Sequence, residues 1–306
     1  VLSVGTPGRY VSPRKARILI FSALLGLIAG SIFTLIRQFV YQGFRTSEDL
    51  EAASNHVVMG EIPRMPIRRR QQLLEYLKSN PHSAVLEAVR NLRTSVLLSN
   101  VDVPPQIIMV TSSVPGEGKT TIAIALAHNF AGLGKRVLLV QGDLRRQNYS
   151  DYFGANEAQT DTLFSAADLD KAFEATIRHD ETTGLDVLWG ALAGGNAADI
   201  LSSQKYRDLL SRLREQYDHI IIDTPPVLVV PDARIVGQMS DSILFIVNWN
   251  RTSRQQVSEG LRSLSIVGLN PSGMVLSQVD GRGMRRYGYS NRYGAYADYG
   301  KSYYGS

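Results

Sequence analysis

The chain has 306 residues, of which 44% are hydrophobic, and a formal net charge of +5. This composition allows one large globular domain with further segments. The absence of cysteine excludes disulfide bonds, metal sites built from thiolates and catalysis by a cysteine nucleophile. The positive charge favours an anionic partner, such as a nucleotide, a nucleic acid or an acidic lipid surface, without selecting among them. The first residue is Val rather than Met, so we expect a fragment or a processed form.

A long apolar segment lies near the beginning of the chain. Residues 18–36 contain no charged side chain. As a helix they would extend over about 28 Å, close to the hydrocarbon thickness of a bilayer. The segment therefore predicts a transmembrane helix over 17–37, with a buried core helix as the alternative.

A basic stretch follows this segment, and residues 38–80 are predicted to form a juxtamembrane linker. Arg64 and residues 68–70 could lie against anionic lipid headgroups, at about 1 kcal/mol for each charge. An ordinary solvated linker is the equal alternative.

From residue 106 onward, short apolar runs alternate with amphipathic stretches. The apolar runs are predicted to be buried strands at 107–110, 137–140, 185–189, 220–223, 243–247 and 274–279. Helices are predicted at 121–133, 198–216 and 253–267. This alternation predicts an α/β fold, a mainly parallel sheet covered by helices on both faces, in a domain over 81–280.

The first of these strands leads into SSVPGEGKTT, which matches the phosphate-binding pattern GxxxxGK[ST] except that Ser113 replaces the first glycine. Glycine in such a loop lets backbone N–H groups face phosphate oxygens. Lys119 is predicted to bind the β- and γ-phosphates, Thr120 to hold Mg²⁺ and Thr121 to bond the α-phosphate. The pattern predicts a P-loop NTPase with ATP and Mg²⁺ as cofactors, against a chance Gly-rich turn. Its nucleotide-binding residues would be Ser113, Pro115, Gly116, Glu117, Gly118, Lys119, Thr120 and Thr121.

Two carboxylates follow neighbouring predicted strands. Asp223 ends the run HIIID, and Asp143 follows VLLVQG with Arg145 after it. A carboxylate at the carboxyl end of a strand beside the P-loop can hold the Mg²⁺ shell, whereas a strand-end or helix cap is the alternative. Lys119, Asp143 and Asp223 are the candidate catalytic residues. Thr120, Asp143 and Asp223 are the candidate metal ligands.

The nucleotide site also bears on the orientation of the apolar segment. More basic residues precede the segment than follow it closely, and the positive-inside rule would place the N-terminal side in the cytoplasm. ATP is a cytoplasmic ligand, so we expect the opposite orientation.

These motifs, in this order, resemble the bacterial tyrosine kinases that serve polysaccharide export, the Wzc-like polysaccharide co-polymerases. SSVPGEGKTT resembles their Walker A motif, VLLVQGDLRR their Walker A′ and HIIIDTPP their Walker B. Residues 13–50 resemble their second transmembrane helix, and GEIPRMP resembles the linker before their kinase domain. The resemblance covers nearly the whole chain. It implies a bacterial inner-membrane protein with residues 1–16 periplasmic, a cytoplasmic kinase domain, and a preceding span and periplasmic chain-length domain.

Two further features are given a role by this resemblance. Glu87, Arg90 and Arg93 resemble an ExxRxxR oligomerisation motif, which implies a homo-oligomeric ring, whereas contacts within one helix are the alternative. The tail over 281–306 has no aliphatic residues among its tyrosines and is predicted to be disordered. The resemblance makes these tyrosines phosphoacceptors, and a sticky low-complexity end is the alternative. They are Tyr287, Tyr289, Tyr293, Tyr296, Tyr299, Tyr303 and Tyr304.

The resemblance implies an ATP-dependent tyrosine autokinase that phosphorylates its tail in trans and regulates a membrane complex for exopolysaccharide or capsule polymerisation and export. A tyrosine phosphatase and the export machinery are the implied partners, and no nucleic acid is expected.

The sequence departs from this family at Gln141, where the family has the first Asp of an Asp-x-Asp motif. In the family that Asp is the candidate base, and an amide cannot take up a proton at neutral pH. A weakened pseudokinase or ATP-binding scaffold therefore stays open. A membrane-bound ParA/MinD-like ATPase is disfavoured because Val114 stands where those proteins carry a Lys.

Overall fold

The computed structural model describes residues 15–40, 43–100, 102–145, 149–154, 163–164, 177–189, 191–192 and 197–286. The seven predicted phosphoacceptor tyrosines lie outside these residues. The chain divides into two compact units, Val1–Gln42 and Gly43–Ser306.

In the first unit the described residues form helix α1 (Lys15–Val40). Within the described part of the chain, no helix has both the length and the apolarity needed to cross a membrane. The side chains of residues 34–40 lie outside that part. The span over 17–37 stays a prediction.

The second unit is built on a large sheet. Its strands in chain order are β1 (Val58–Pro63), β2 (Ile107–Ser112), β3 (Val137–Gln141), β4 (Leu163–Phe164), β5 (Ile177–Asp180), β6 (Leu185–Leu188), β7 (Ala191–Leu192), β8 (His219–Asp223), β9 (Ser242–Asn248) and β10 (Gly273–Val279). Eight of them form one sheet in the order β1-β10-β9-β2-β8-β3-β6-β5, and β4 pairs with β7. Neighbours in the large sheet run parallel, except that β5 and β6 are antiparallel. The predicted mainly parallel α/β fold is confirmed.

The described helices of this unit are α2 (Ser47–Ser54), α3 (Gln72–Ser79), α4 (Ala84–Leu98), α5 (Lys119–Ala131), α6 (Ser150–Phe153), α7 (Ala197–Ser202), α8 (Gln204–Gln216), α9 (Asp232–Gly237), α10 (Arg254–Ser265) and α11 (Gly281–Arg286). The single helix predicted over 198–216 is divided. Ser203 has extended backbone angles, and its hydroxyl accepts a hydrogen bond from the backbone N–H of Tyr206. This N-cap begins α8 as a separate helix.

The central strands are buried because helices cover both faces of the sheet. All six residues of β2 are buried. Val110 of β2 belongs to a core cluster with Leu92 of α4 and Ile124 of α5. The preceding Met109 belongs to another cluster, with Leu209 of α8. Successive residues of a strand face opposite sides, so the apolar run of β2 serves two cores.

Part of the predicted linker belongs to the same sheet, so the boundary predicted at 81 differs from the structure. Strand β1 pairs with β10, and Leu50 and Leu73 are fully buried. The compact unit instead begins at Gly43. The sequence of β1, VMGEIP, does not predict a strand, because it contains Gly and Pro and its apolar and polar residues do not alternate. Such a sequence is tolerated because β1 lies at the edge of the sheet.

Candidate nucleotide-binding site

The predicted phosphate-binding loop connects β2 to α5, as the sequence pattern requires. Gly116 has a φ of 84° and Gly118 has a φ of 88°. These left-handed angles are open to glycine at little cost. The loop ends at Gly118, directly before the first residue of α5, so the helix N-terminus faces the space that the loop encloses.

Strands β9 and β10 hold the loop from one side. The carbonyl oxygen of Gly116 accepts hydrogen bonds from Asn248 Nδ2 at 3.3 Å and Gln278 Nε2 at 3.0 Å. Ser277 Oγ donates to the carbonyl oxygen of Glu117 at 2.6 Å. Gln278 itself has a φ of 54°, an uncommon angle for a residue other than glycine. Sequence reasoning missed these residues, although polar side chains at the ends of apolar runs were a signal.

Glu117 stabilises the loop and does not line its pocket. Its side chain is 1% exposed. It accepts hydrogen bonds from the backbone N–H groups of Val114 at 2.8 Å and Asn248 at 3.3 Å, and from Thr252 Oγ1 at 2.5 Å. Burial raises the pKa of Glu117, and the hydrogen bonds oppose that rise. Ser113 is also fully buried. Both were predicted to bind the nucleotide, and neither lies on the pocket wall.

The loop opens onto a pocket of about 450 Å³. Seven predicted site residues line it, namely Pro115, Gly116, Gly118, Lys119, Thr120, Thr121 and Asp143. Arg64, Met65 and Arg70 line it as well, from the segment after β1. Neither interpretation of the basic stretch anticipated this position. Tyr152 completes this wall, with its hydroxyl 3.3 Å from Thr121 Oγ1.

The parallel register brings the candidate metal ligands together. Asp223 is the register partner of Val110 on one side and of Gln141 on the other. Thr120 Oγ1 donates to Asp223 Oδ2 at 2.6 Å. Asp223 Oδ1 is buried and has no hydrogen-bond partner among the described residues. Burial raises the pKa of Asp223 to about 6, although Lys119 and the Thr120 hydroxyl lower it. A carboxylate oxygen beside a threonine hydroxyl fits the oxygen ligands that Mg²⁺ prefers.

Gln141 lies beside Asp223 and faces the interior. It is 3% exposed, and its Nε2 donates to the carbonyl oxygen of Asp143 at 3.1 Å. The next residue, Gly142, packs closely because a Cβ there would come within 2.9 Å of Ile222 Cγ2 and 3.0 Å of the Asp223 carbonyl oxygen. Asp143 therefore reaches the pocket wall while Gln141 does not.

An arginine and a buried aspartate lie next to these groups. Arg145 Nε donates to Asp232 Oδ2 at 3.2 Å, and Arg145 Nη2 donates to Asp232 Oδ1 at 3.3 Å. The backbone N–H of Arg145 also donates to Asp143 Oδ1 at 3.2 Å. Sequence reasoning did not single out Asp232, which no motif marked.

The three residues of the predicted oligomerisation motif make contacts within the chain. Arg90 forms an ion pair with Glu87 and donates to the Pro81 carbonyl oxygen at 2.6 Å. Arg93 donates to Asn129 at the end of α5, at 2.7 Å to Oδ1 and 3.0 Å to the carbonyl oxygen. The helix-internal alternative therefore accounts for the Glu87–Arg90 pair. A role in a ring stays a prediction.

Comparison with known proteins adds to this geometry. Residues 105–269 match the model of a family described as the AAA domain. The chain belongs to the AAA domain family. It is 31% identical over 277 residues to a tyrosine-protein kinase ptk of Acinetobacter johnsonii, covering 88% of the chain and 38% of that protein. It is 28% identical over 301 residues to a putative tyrosine-protein kinase EpsB of Ralstonia nicotianae, covering 95% of the chain and 39% of that protein.

A solved structure of a tyrosine kinase domain is also similar to the chain. The kinase domain of the Escherichia coli tyrosine kinase ETK superposes with a TM-score of 0.69 at 28% identity, over 78% of the chain and 95% of that domain. The AAA domain of this chain is therefore similar to a bacterial tyrosine kinase domain, and the family resemblance seen in the sequence is confirmed. The chain spans about two fifths of the length of these curated relatives, 38% and 39%.

Proposed function

We propose that the chain is a protein-tyrosine kinase that uses ATP and Mg²⁺. The observation that carries the proposal is one pocket, in which Lys119, Thr120 and Asp143 lie together and Asp223 binds Thr120. The names of the relatives, tyrosine-protein kinases, support the same activity.

Each residue of the pocket has a part in this proposal. Phosphoryl transfer depends mainly on positioning and charge neutralisation. Lys119 and the backbone N–H groups of the loop would neutralise the β- and γ-phosphates. Thr120 and Asp223 would hold Mg²⁺, which when bound neutralises further phosphate charge. Asp143 would orient the acceptor hydroxyl and take its proton, since the amide of Gln141 cannot take up a proton and does not line the pocket.

The proposed acceptors are the tail tyrosines, from residue 287 to 304. A tail of about 25 Gly/Ser-like residues reaches roughly 25–30 Å, which suits transfer in trans between subunits of a ring. Glu87, Arg90 and Arg93 would contact the neighbouring subunit in that ring. Each phosphate adds about −1.5 to −2 charges, so a phosphorylated tail would repel its neighbours and favour disassembly.

The wider setting is proposed from the sequence resemblance. The chain would sit at the bacterial inner membrane with its kinase domain in the cytoplasm. There it would regulate a complex for exopolysaccharide or capsule polymerisation and export, opposed by a tyrosine phosphatase. Sedimentation of the phosphorylated and dephosphorylated chain tests the regulatory step, and unchanged assembly would contradict it.

The activity is tested by incubating the chain with Mg-ATP and measuring tail phosphotyrosine and ADP release together. We expect Lys119→Met to reduce labelling by about 10²-fold or more, because it removes the charge that neutralises the phosphates. Lys135→Met is the matched control, since Lys135 is exposed and lies outside the pocket. Equal labelling in both variants would refute the proposed role of Lys119.

A second candidate is an ATP-binding scaffold without transferase activity. Gln141 favours it, because a buried amide stands where the sequence resemblance implies a carboxylate, which leaves Asp143 as the carboxylate of that motif. Nucleotide binding without labelling or ADP release would support the scaffold. ADP release without labelling would support an ATPase.

A further inference from the structure

A fixed guanidinium group stands beside the phosphate-binding loop. The side chain of Arg145 is 41% exposed and lines the pocket, whereas Asp232 is 0% exposed. Both carboxylate oxygens of Asp232 accept hydrogen bonds from the guanidinium. A carboxylate withdrawn from water requires a charged partner, so Asp232 holds the guanidinium in one orientation.

The segment that precedes Asp232 forms an apolar surface on the same pocket. Pro225, Pro226, Val229 and Val230 line the wall, and Val229 is 57% exposed. The start of this segment is fixed to β2: the backbone N–H and the hydroxyl of Thr224 donate to the Val110 carbonyl oxygen, each at 3.0 Å. One short segment therefore supplies an apolar wall, exposed at Val229, and, at its end, the aspartate that orients Arg145.

We propose that Arg145 and residues 225–230 form the subsite for the acceptor tyrosine, with Asp232 as a positioning residue. This inference rests on the proposed kinase function. The acceptor ring packs on the apolar wall, and its hydroxyl faces Asp143. Arg145 binds the phosphoryl oxygens as they move onto the acceptor.

The transfer step balances with these groups. The phenolic oxygen bonds to the γ-phosphorus, and the bond from that phosphorus to the bridging oxygen breaks with its electron pair left on ADP. The phenolic proton passes to Asp143. Negative charge stays on the phosphoryl oxygens throughout, and a planar guanidinium binds two such oxygens at once. An aromatic acceptor also covers exposed apolar surface that a serine side chain would leave in water.

The first experiment separates acceptor binding from nucleotide binding. The full chain with its seven tail tyrosines changed to Phe is given Mg-ATP and a synthetic peptide of residues 287–306. We expect Asp232→Asn and Arg145→Lys to lower kcat/KM for the peptide about tenfold, mainly through kcat, with the Kd for ATP unchanged within about twofold. Val229→Ser, at an exposed position of the apolar wall, should instead raise KM for the peptide by several-fold.

A matched control uses a second arginine–aspartate pair, remote from the pocket. Arg214 donates to Asp241 at 2.7 Å and 2.9 Å, and neither lines the pocket. Asp241→Asn loosens a pair of the same type, so it should leave kcat and KM for the peptide unchanged. A loss of kcat/KM equal to that of Asp232→Asn would assign the effect to general destabilisation and overturn the proposal.

A second readout needs no turnover. The affinity of the phosphorylated peptide for the chain with ADP and Mg²⁺ is measured by fluorescence anisotropy. We expect Arg145→Lys to weaken it about tenfold. An unchanged affinity, or a loss of ATP affinity alone, would overturn the subsite. A parent chain that binds the phosphopeptide but labels no peptide would instead refute the kinase proposal, so the two failures are distinguishable. If Asp232→Asn does not fold, Arg145→Lys and Val229→Ser decide the result.

Discussion

Aspartates lie at both ends of the strands of the large sheet, and their surroundings differ. The amino edge is the side where the parallel strands begin, and the carboxyl edge is the side where they end. At the amino edge, Asp241 accepts hydrogen bonds from the backbone N–H groups of Gln106 at 3.0 Å and Ile107 at 2.7 Å, and two more from Arg214. Burial raises the pKa of Asp241, but these hydrogen bonds outweigh burial and bring the pKa below its ordinary value. At the carboxyl edge, the described residues give the Asp223 side chain one hydrogen-bond partner, Thr120, and burial raises its pKa to about 6.

The difference separates an edge whose aspartate is satisfied within the protein from an edge that borders the pocket. The amino edge satisfies its charge within the protein. The carboxyl edge holds a buried carboxylate that a bound cation would neutralise, and Gln278 near the end of β10 has a φ of 54°, uncommon for a residue other than glycine. Strain and unsatisfied charge are tolerated at functional sites because the rest of the structure stabilises them.

The largest expected effect comes from Gln141→Asp, which adds a carboxylate to the carboxyl edge. Its free energy of unfolding should fall by about 3–5 kcal/mol, because the variant buries a new negative charge beside Asp223. The rate of tail phosphorylation should stay largely unchanged, because residue 141 does not line the pocket. Urea unfolding and phosphotyrosine blots over time measure the two effects. An acceleration of about 10²-fold or more would instead show that a carboxylate at position 141 acts as the general base.

Removing the charge of Asp223 and removing the charge of Asp241 should change the free energy of unfolding in opposite directions. Without nucleotide near neutral pH, Asp223→Asn should raise the free energy of unfolding by about 2–3 kcal/mol, because it removes a buried charge. Asp241→Asn should lower it by about 1–2 kcal/mol, because it weakens four hydrogen bonds at a partly exposed site. Urea titrations measure both. Changes of the same sign would remove the contrast between the edges.

The dependence of stability on pH tests whether the charge of Asp223 causes this difference. The pKa of Asp223 rises from 3.8 to about 6 on folding, so the native state binds the extra proton between these values. The nucleotide-free chain should therefore lose stability as pH rises through about 4 to 6. The stability difference between Asp223→Asn and the parent should be near zero at about pH 4 and complete above about pH 7. A difference independent of pH would show that charge is not its cause.

The smallest effect is expected at Gln278, whose φ is positive. Gln278→Gly relieves that conformation but loses the hydrogen bond to Gly116, so stability should change by less than about 1 kcal/mol. The Kd for ATP should rise by a few-fold, because the loop is held less firmly. Asn55→Gly is the control, because Asn55 also has a positive φ but ends α2 outside the pocket. It should leave the Kd unchanged.

Six strands were predictable because buried parallel strands are continuous apolar runs. The run 243–247 became β9 (Ser242–Asn248), and 274–279 lies within β10 (Gly273–Val279). The loop glycines were predictable because their spacing matches the phosphate-binding pattern, and the loop holds Gly116 and Gly118 at positive φ. Edge strands β1 and β5 were missed, since pairing with a neighbour, rather than apolar pattern, fixes them.

Side-chain direction was the other limit of the sequence. Glu117 and Ser113 lie within the phosphate-binding motif, yet their side chains face the interior. Asp232 lies outside every motif, yet it orients Arg145 at the pocket. A one-dimensional pattern gives the position of a residue along the chain. It does not give the partner that three-dimensional packing provides.

The pairing of β1 with β10 links folding of the edge to ligand affinity. Strand β10 ends at the residues that hold the phosphate-binding loop, Ser277 and Gln278, and β1 covers its other side. Free-energy linkage is reciprocal, so if a ligand that orders the loop strengthens the attachment of β1 through β10, release of β1 weakens the binding of that ligand by the same factor. A partner that binds the chain before residue 58 and detaches β1 from β10 would therefore lower the affinity of the site for nucleotide.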